Sequence, residues 1–95
     1  MTSPKKESRI KKLLEMPREI TTNEPKITIV SFQEMLIENY KGVLEYENYY
    51  VRVNTYIGIM NINGFNLNLN QISSDDLIIT GRITGIEIEE QEEWL

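Results

Sequence analysis

Residues 49–70 read YYVRVNTYIGIMNINGFNLNLN, and the fold turns on how this stretch is parsed. Polar and apolar residues alternate through most of it, the period-2 signature of strands with one dry face and one wet face. Val51 and Val53 fall on one face, Tyr50 and Arg52 on the other. At its centre, Ile62-Asn63-Gly64-Phe65 reads as a two-residue type I′ hairpin, because Asn and Gly both tolerate the positive φ that such a turn requires. That turn places Ile62 opposite Phe65, Met60 opposite Leu67 and Gly58 opposite Leu69. The expected dry face is therefore Met60, Ile62, Phe65, Leu67 and Leu69, with asparagines on the wet one. A sheet covered on one side only is antiparallel rather than parallel.

Outward from this stretch the same punctuation continues. Residues 26–31, 34–39 and 43–46 read as strands, with Asn39-Tyr40-Lys41-Gly42 as a turn and Glu47-Asn48 as another. Downstream, Ser73-Ser74-Asp75-Asp76 forms a turn, and Leu77, Ile79 and Gly81 then alternate with Ile78 and Thr80. The apolar parity switches between Ile83 and Ile86, which requires a bulge or bend, most easily at Gly85. Eight short strands are expected, with no crossover long enough for a βαβ unit. The predicted fold is all-β: a single antiparallel meander forming a small sandwich or roll, with a short N-terminal helix. Repeated I-x-I units around glycine raise a short β-solenoid as the alternative, although their spacing is irregular.

The N-terminus has a different period. Ser3-Pro4 is a helix start, Pro17 stops the helix near Met16, and Ile10, Leu13 and Leu14 share one face at i, i+3, i+4 spacing. The expected organisation is a basic helix over 1–20, a connector over 21–25, a β domain over 26–89 and an acidic tail over 90–95. Ninety-five residues allow one such domain. No apolar run approaches the ~18 residues of a membrane span and no secretory leader is visible, so a cytoplasmic chain is expected.

Composition narrows the chemistry. Cysteine and histidine are both absent, which removes thiolate nucleophiles, disulfides, the commonest metal ligand and the usual proton shuttle near neutral pH. Asp75-Asp76 reads as a pair of turn formers rather than a cation site. Glu38 and Glu45 are expected to approach across the Asn39–Gly42 turn on a solvated face. Gly81-Arg82-Ile83-Thr84-Gly85 lacks the Lys-Ser/Thr and following helix of a phosphate loop, so its glycines serve a bend or close packing. Tyr40, Tyr46, Tyr49, Tyr50 and Tyr56 read as packing residues; a net charge of −5 disfavours stacking on nucleic acid. No catalytic, cofactor-binding or metal-ligating set is expected.

What remains is contact chemistry. Lys5, Lys6, Arg9, Ile10, Leu13 and Leu14 on the helix, with Trp94 and Leu95 at the other end, are the candidate interaction residues. The helix has three expected resting places: the sheet, another protein, or an anionic membrane surface. The basic head and the glutamates at 87, 89, 90, 92 and 93 also invite attraction within one molecule or between neighbours.

The strings KITIV, IENYKGVLEY, GFNLNL and LIITGRITGIEI, in that order, resemble the YqfC/YabP-like family of bacterial sporulation proteins, its YqfC branch most closely. The resemblance covers about two-thirds of the chain. It implies a non-enzymatic structural or assembly role in the mother cell, at the forespore surface or coat, and a partnership with the membrane protein YqfD. Self-association into a homo-oligomer fits the same expectation, as does peripheral contact with the forespore membrane. A small ligand-binding or catalytic β-barrel is the alternative from a different class.

Overall fold

The structure is a computed structural model that describes Ile10, Lys12 and residues 24–90. Six strands form one sheet: β1 (Lys26–Val30), β2 (Glu34–Glu38), β3 (Tyr40–Glu47), β4 (Tyr50–Thr55), β5 (Gly58–Gln71) and β6 (Asp76–Glu90). Their spatial order is β1-β2-β6-β5-β4-β3, and every pairing is antiparallel. The all-β antiparallel expectation holds, and the solenoid alternative falls with the absence of parallel neighbours among the described strands. Six strands replace the expected eight because two of them, β5 and β6, run for 14 and 15 residues through the supposed turns.

The main correction concerns Asn63-Gly64, which is no hairpin. β5 runs straight through it, with Asn63 opposite Tyr50 on one side and Gly85 on the other. Neither residue has the positive φ that a type I′ turn demands. Glycine is required at 64 for another reason: a Cβ there would collide with the carbonyl oxygen of Arg82 on the neighbouring strand. The true β4–β5 turn is Tyr56-Ile57, where the Thr55 hydroxyl donates to the Gly58 carbonyl at 2.6 Å and accepts from the Ile57 amide at 3.2 Å. Consequently the expected register is lost, and one of its core residues is wrong. Phe65 is 59% exposed, because β5 continues without a turn and leaves it on the face opposite Met60 and Ile62; the ladder then slips between Phe65 and Asn68, with Asn66 at φ 53, and the parity change turns Leu67 inward. Met60, Ile62 and Leu67 are buried as expected.

A second correction concerns Asn39–Gly42. β2 and β3 do not pair; they are nearly one strand, broken at Asn39 (φ 67). The amides of Asn39 and Tyr40 both donate to the Asp75 carbonyl, at 2.7 and 3.1 Å. Glu38 and Glu45 therefore do not face each other across a hairpin: Glu38 lies opposite Lys26 and Asp76, and Glu45 opposite Arg52.

Two other expectations hold. On β6, Asn63 and Gly64 lie opposite Gly85 and Ile83, leaving Thr84 as the extra residue of a bulge where the parity switch called for one. Ser73–Asp75 and the start of β6 form the β5–β6 turn: the Ser73 hydroxyl accepts from the amides of Asp75 and Asp76 and bonds the Asp76 carboxylate, each at 3.2 Å.

These bulges roll the sheet. Tyr40 is bonded to Asp75 beyond one end of β5, yet it is paired to Thr55, which lies opposite Gly58 at the other end. Both ends of the β5–β6 ladder are thus drawn together, and the sheet folds over on itself. Between the two halves lie Met35, Ile37, Leu77 and Ile79 from one side and Val51, Val53, Met60 and Ile62 from the other, all buried. Burying each side chain of this size contributes about 1.5–3 kcal/mol before entropy is counted. A smaller cluster occupies the outer face of the first half, where Ile10 packs with Leu36, Ile78 and the half-buried Val30. Ile10 and Lys12 are helical; the remainder of the expected helix lies outside the described residues.

Candidate interaction surface

The long β5–β6 ladder is flanked by unequal neighbours. On its β6 side, β2 covers only Asp76–Thr80. The β1–β2 turn extends that cover a little further: Gly81 and Ile83 donate their amides to the carbonyls of Gln33 and Phe32, at 3.2 and 2.8 Å. Beyond it, from Thr84 to Glu90, no strand or turn pairs with the outer side of β6 among the described residues. Among the described residues the outer sides of β1 and of β3, the two edge strands, are also unpaired. Unpaired strand edges present rows of amides and carbonyls that readily accept another strand.

Apolar side chains sit along β1 and the end of β6. Ile27 and Ile29 lie opposite Ile37 and Met35, so they point to the core face, yet they stay 36% and 38% exposed because no strand lies beyond them. Ile88, opposite Met60, is 54% exposed on the same face. Single exposed apolar residues are ordinary; alternation of such residues along an open edge is not.

The corner between these features is an open groove of about 850 Å³, lined by Ser31–Glu34 and Thr80–Thr84. Ser31 and Phe32 both take positive φ (55 and 53), a costly conformation for a bulky aromatic, and Phe32 is 70% exposed at the tip. Gly81, at φ +127, lets the strand pass close to β5, since a Cβ would lie 2.5 Å from the Asn66 carbonyl oxygen.

The outer face of the second half is polar and tied across four strands. Arg52 on β4 donates to Glu45 on β3 (3.2 Å), Asn61 on β5 (3.1 Å) and Glu89 on β6 (3.3 Å). Asn61 in turn donates to Glu89 at 2.6 Å, and the Tyr50 hydroxyl donates to Glu45 at 2.8 Å. The Tyr50 hydrogen bond and the Arg52 guanidinium hold the Glu45 carboxyl below its ordinary range, and the same carboxylate raises Tyr50. These groups satisfy one another at the surface and stiffen the sheet; they do not converge on a cavity. Among the described residues no cluster of three or more carboxylates is placed to hold a metal ion.

The tyrosines serve several purposes. Tyr40 is buried and accepts from Gln71; Tyr46 reaches β5, donating to the Leu67 carbonyl and accepting from the Leu69 amide. Tyr49 stacks on Tyr50, with ring centroids 6.2 Å apart, and Lys41 lies over Tyr56. The interior that a ligand-binding barrel needs is filled by the Met, Ile, Leu and Val side chains of the core.

Of the residues singled out from sequence, Ile10 is fully buried against Leu36 and Ile78, so the sheet itself takes up its side chain. Lys5, Lys6, Arg9, Leu13, Leu14, Trp94 and Leu95 lie outside the described residues. The edge residues Ile27, Ile29 and Ile88 went unmarked as contacts, although their alternation with Lys26, Thr28, Glu87 and Glu89 is visible in the string. Among the described residues no helix is long and apolar enough to cross a membrane.

Residues 21–94 match the sequence profile of the YabP family. No curated protein and no solved structure matches the chain.

Proposed function

The chain belongs to the YabP family, and from that premise we propose that it is a non-enzymatic assembly protein of bacterial sporulation that works by protein–protein contact. Membership of this family fits a sporulation role. The contact mechanism is supported by one observation above the rest: among the described residues β1 and the end of β6 are unpaired on their outer sides and carry the exposed Ile27, Ile29 and Ile88, on a domain whose interior is closed. A small domain that leaves such edges open is built to be completed by another chain. Within the family, the strings IENYKGVLEY and LIITGRITGIEI favour the YqfC branch, which brings with it YqfD as the membrane partner and the mother-cell side of the forespore as the place of action.

A fluorescent fusion in sporulating cells tests this reading. The expected result is signal on the mother-cell face of the forespore, dispersed when YqfD is deleted. Diffuse signal throughout sporulation, in cells with and without YqfD, would overturn it.

A further inference from the structure

The β1 edge and the open end of β6 fit each other. We propose that the β1 edge of one copy pairs antiparallel with the Gly85–Glu90 edge of a second copy, a contact that rests on the assembly reading above and names its partner. Setting Lys26 opposite Glu89 brings Ile27 opposite Ile88, Thr28 opposite Glu87, Ile29 opposite Ile86 and Val30 opposite Gly85. The first four positions then meet a chemical complement. Ile27 and Ile29 point to the core face of their sheet, as do Ile86 and Ile88 of theirs, since they lie opposite Ile37, Met35, Ile62 and Met60 respectively. The exposed Ile27, Ile29 and Ile88 would thus be covered, together with the half-buried Ile86, across a continuous sheet.

The opposite face of the pairing carries the charges. Lys26 meets Glu89, and Thr28 meets Glu87, which directs a hydroxyl toward a carboxylate. Cross-strand pairs of opposite charge stabilise and like charges opposed destabilise, so the same rule removes the obvious rival. Two β6 edges paired antiparallel about Ile88 would set Glu87 of each copy against Glu89 of the other, like charge against like. Two β1 edges paired about Thr28 bring no opposite charges together, because Lys26 would meet Val30. Of these three pairings, only that of the unlike edges satisfies both faces at once.

Because the edges differ, the contact is heterologous. Each bound copy still offers one free β1 and one free β6, so the assembly is an open-ended chain or a ring rather than a closed pair. Pairing also ends the exposure of backbone groups along both edges.

The native chain has no cysteine, so disulfide trapping reads this register directly. Thr28→Cys protein is mixed with Glu87→Cys protein under mild oxidation, and products are separated without reductant. The expected product is a covalent heterodimer that forms at least tenfold faster than from Thr28→Cys mixed with Glu89→Cys, or from either variant alone. Equal rates in all mixtures would overturn the register. Light scattering of the cysteine-free chain supplies the second readout. Concentration-dependent mass is expected, with association at least tenfold weaker in Ile27→Lys, whose thermal midpoint should match the parent because the side chain is already exposed. A parent chain that stays monomeric at millimolar concentration would end the proposal. It would leave the assembly reading standing, since forespore localisation and YqfD dependence are tested separately.

Discussion

The start and the end of β6 are one strand in two surroundings. Asp76–Thr80 is held between β2 and β5, with Leu77 and Ile79 in the main core and Ile78 beneath Ile10 on the other face. Among the described residues Gly85–Glu90 has β5 on one side only; its Ile88 is half exposed and its Glu89 is tied to Arg52 on a wet outer face. The string carries this difference. LII is apolar on consecutive positions, as a strand covered on both faces must be, whereas IEIEE alternates, as a strand covered on one face does. The bulge at Thr84 is where the two regimes meet. A chain this small has core enough to enclose one end of its central ladder and leaves the other covered on one face only.

The sharpest way to break this comparison is to damage the junction itself. Gly64→Ala places a methyl group against the Arg82 backbone, which cannot retreat without parting β5 from β6. The expected loss is about 3–5 kcal/mol, read by urea unfolding, at the upper end for single substitutions. Retention of parental stability would show that the two halves are not joined tightly there.

Next comes the same truncation in each half. Ile79→Ala removes a fully buried side chain and is expected to cost about 2–4 kcal/mol. Ile88→Ala removes one that is 54% exposed and is expected to change monomer stability by no more than about 0.5 kcal/mol. Similar losses at the two positions would erase the distinction between the halves.

The smallest effect belongs to the polar outer face. Glu45 has its pKa lowered from an ordinary 4.5, first by the Tyr50 hydroxyl and then by Arg52. Its contribution is therefore present above pH 4.5 and lost as pH falls through the lowered folded value. Tyr50 is raised from an ordinary 10.0 by that same hydrogen bond, so its share is present below pH 10 and lost as pH rises past it. Thermal midpoints of the parent and Glu45→Gln should differ slightly at pH 7 and converge on both sides. A gap that widens in acid would contradict the assignment.

How much of this was legible depended on how local the cause was. The Val51/Val53 alternation, the Ser73–Asp76 turn and the bulge near Gly85 follow from neighbouring residues, and each stands in the structure. Asn63-Gly64 misled because its glycine answers to the Arg82 carbonyl, eighteen positions away, rather than to a turn. The β1–β2 turn was concealed differently: Ser31 and Phe32 take positive φ without being residue types that favour it. Asn39, rather than Gly42, takes the positive φ in the segment expected to turn, and it bends the chain onward instead of back. Which residues line the sheet edges depends on a strand order set by long-range pairing, which no local pattern in the string carries.

Hydrogen exchange along β6, followed across protein concentration, tests the central claim most directly. At high dilution the amides of Asp76–Thr80 should exchange slowly, while those of Gly85–Glu90 that point away from β5 exchange orders of magnitude faster. As concentration rises, those outward amides should slow together with the outward amides of β1, leaving Asp76–Thr80 unchanged. Outward amides in Gly85–Glu90 as protected as those of Asp76–Thr80 at every dilution, or unprotected at every concentration, would contradict the account.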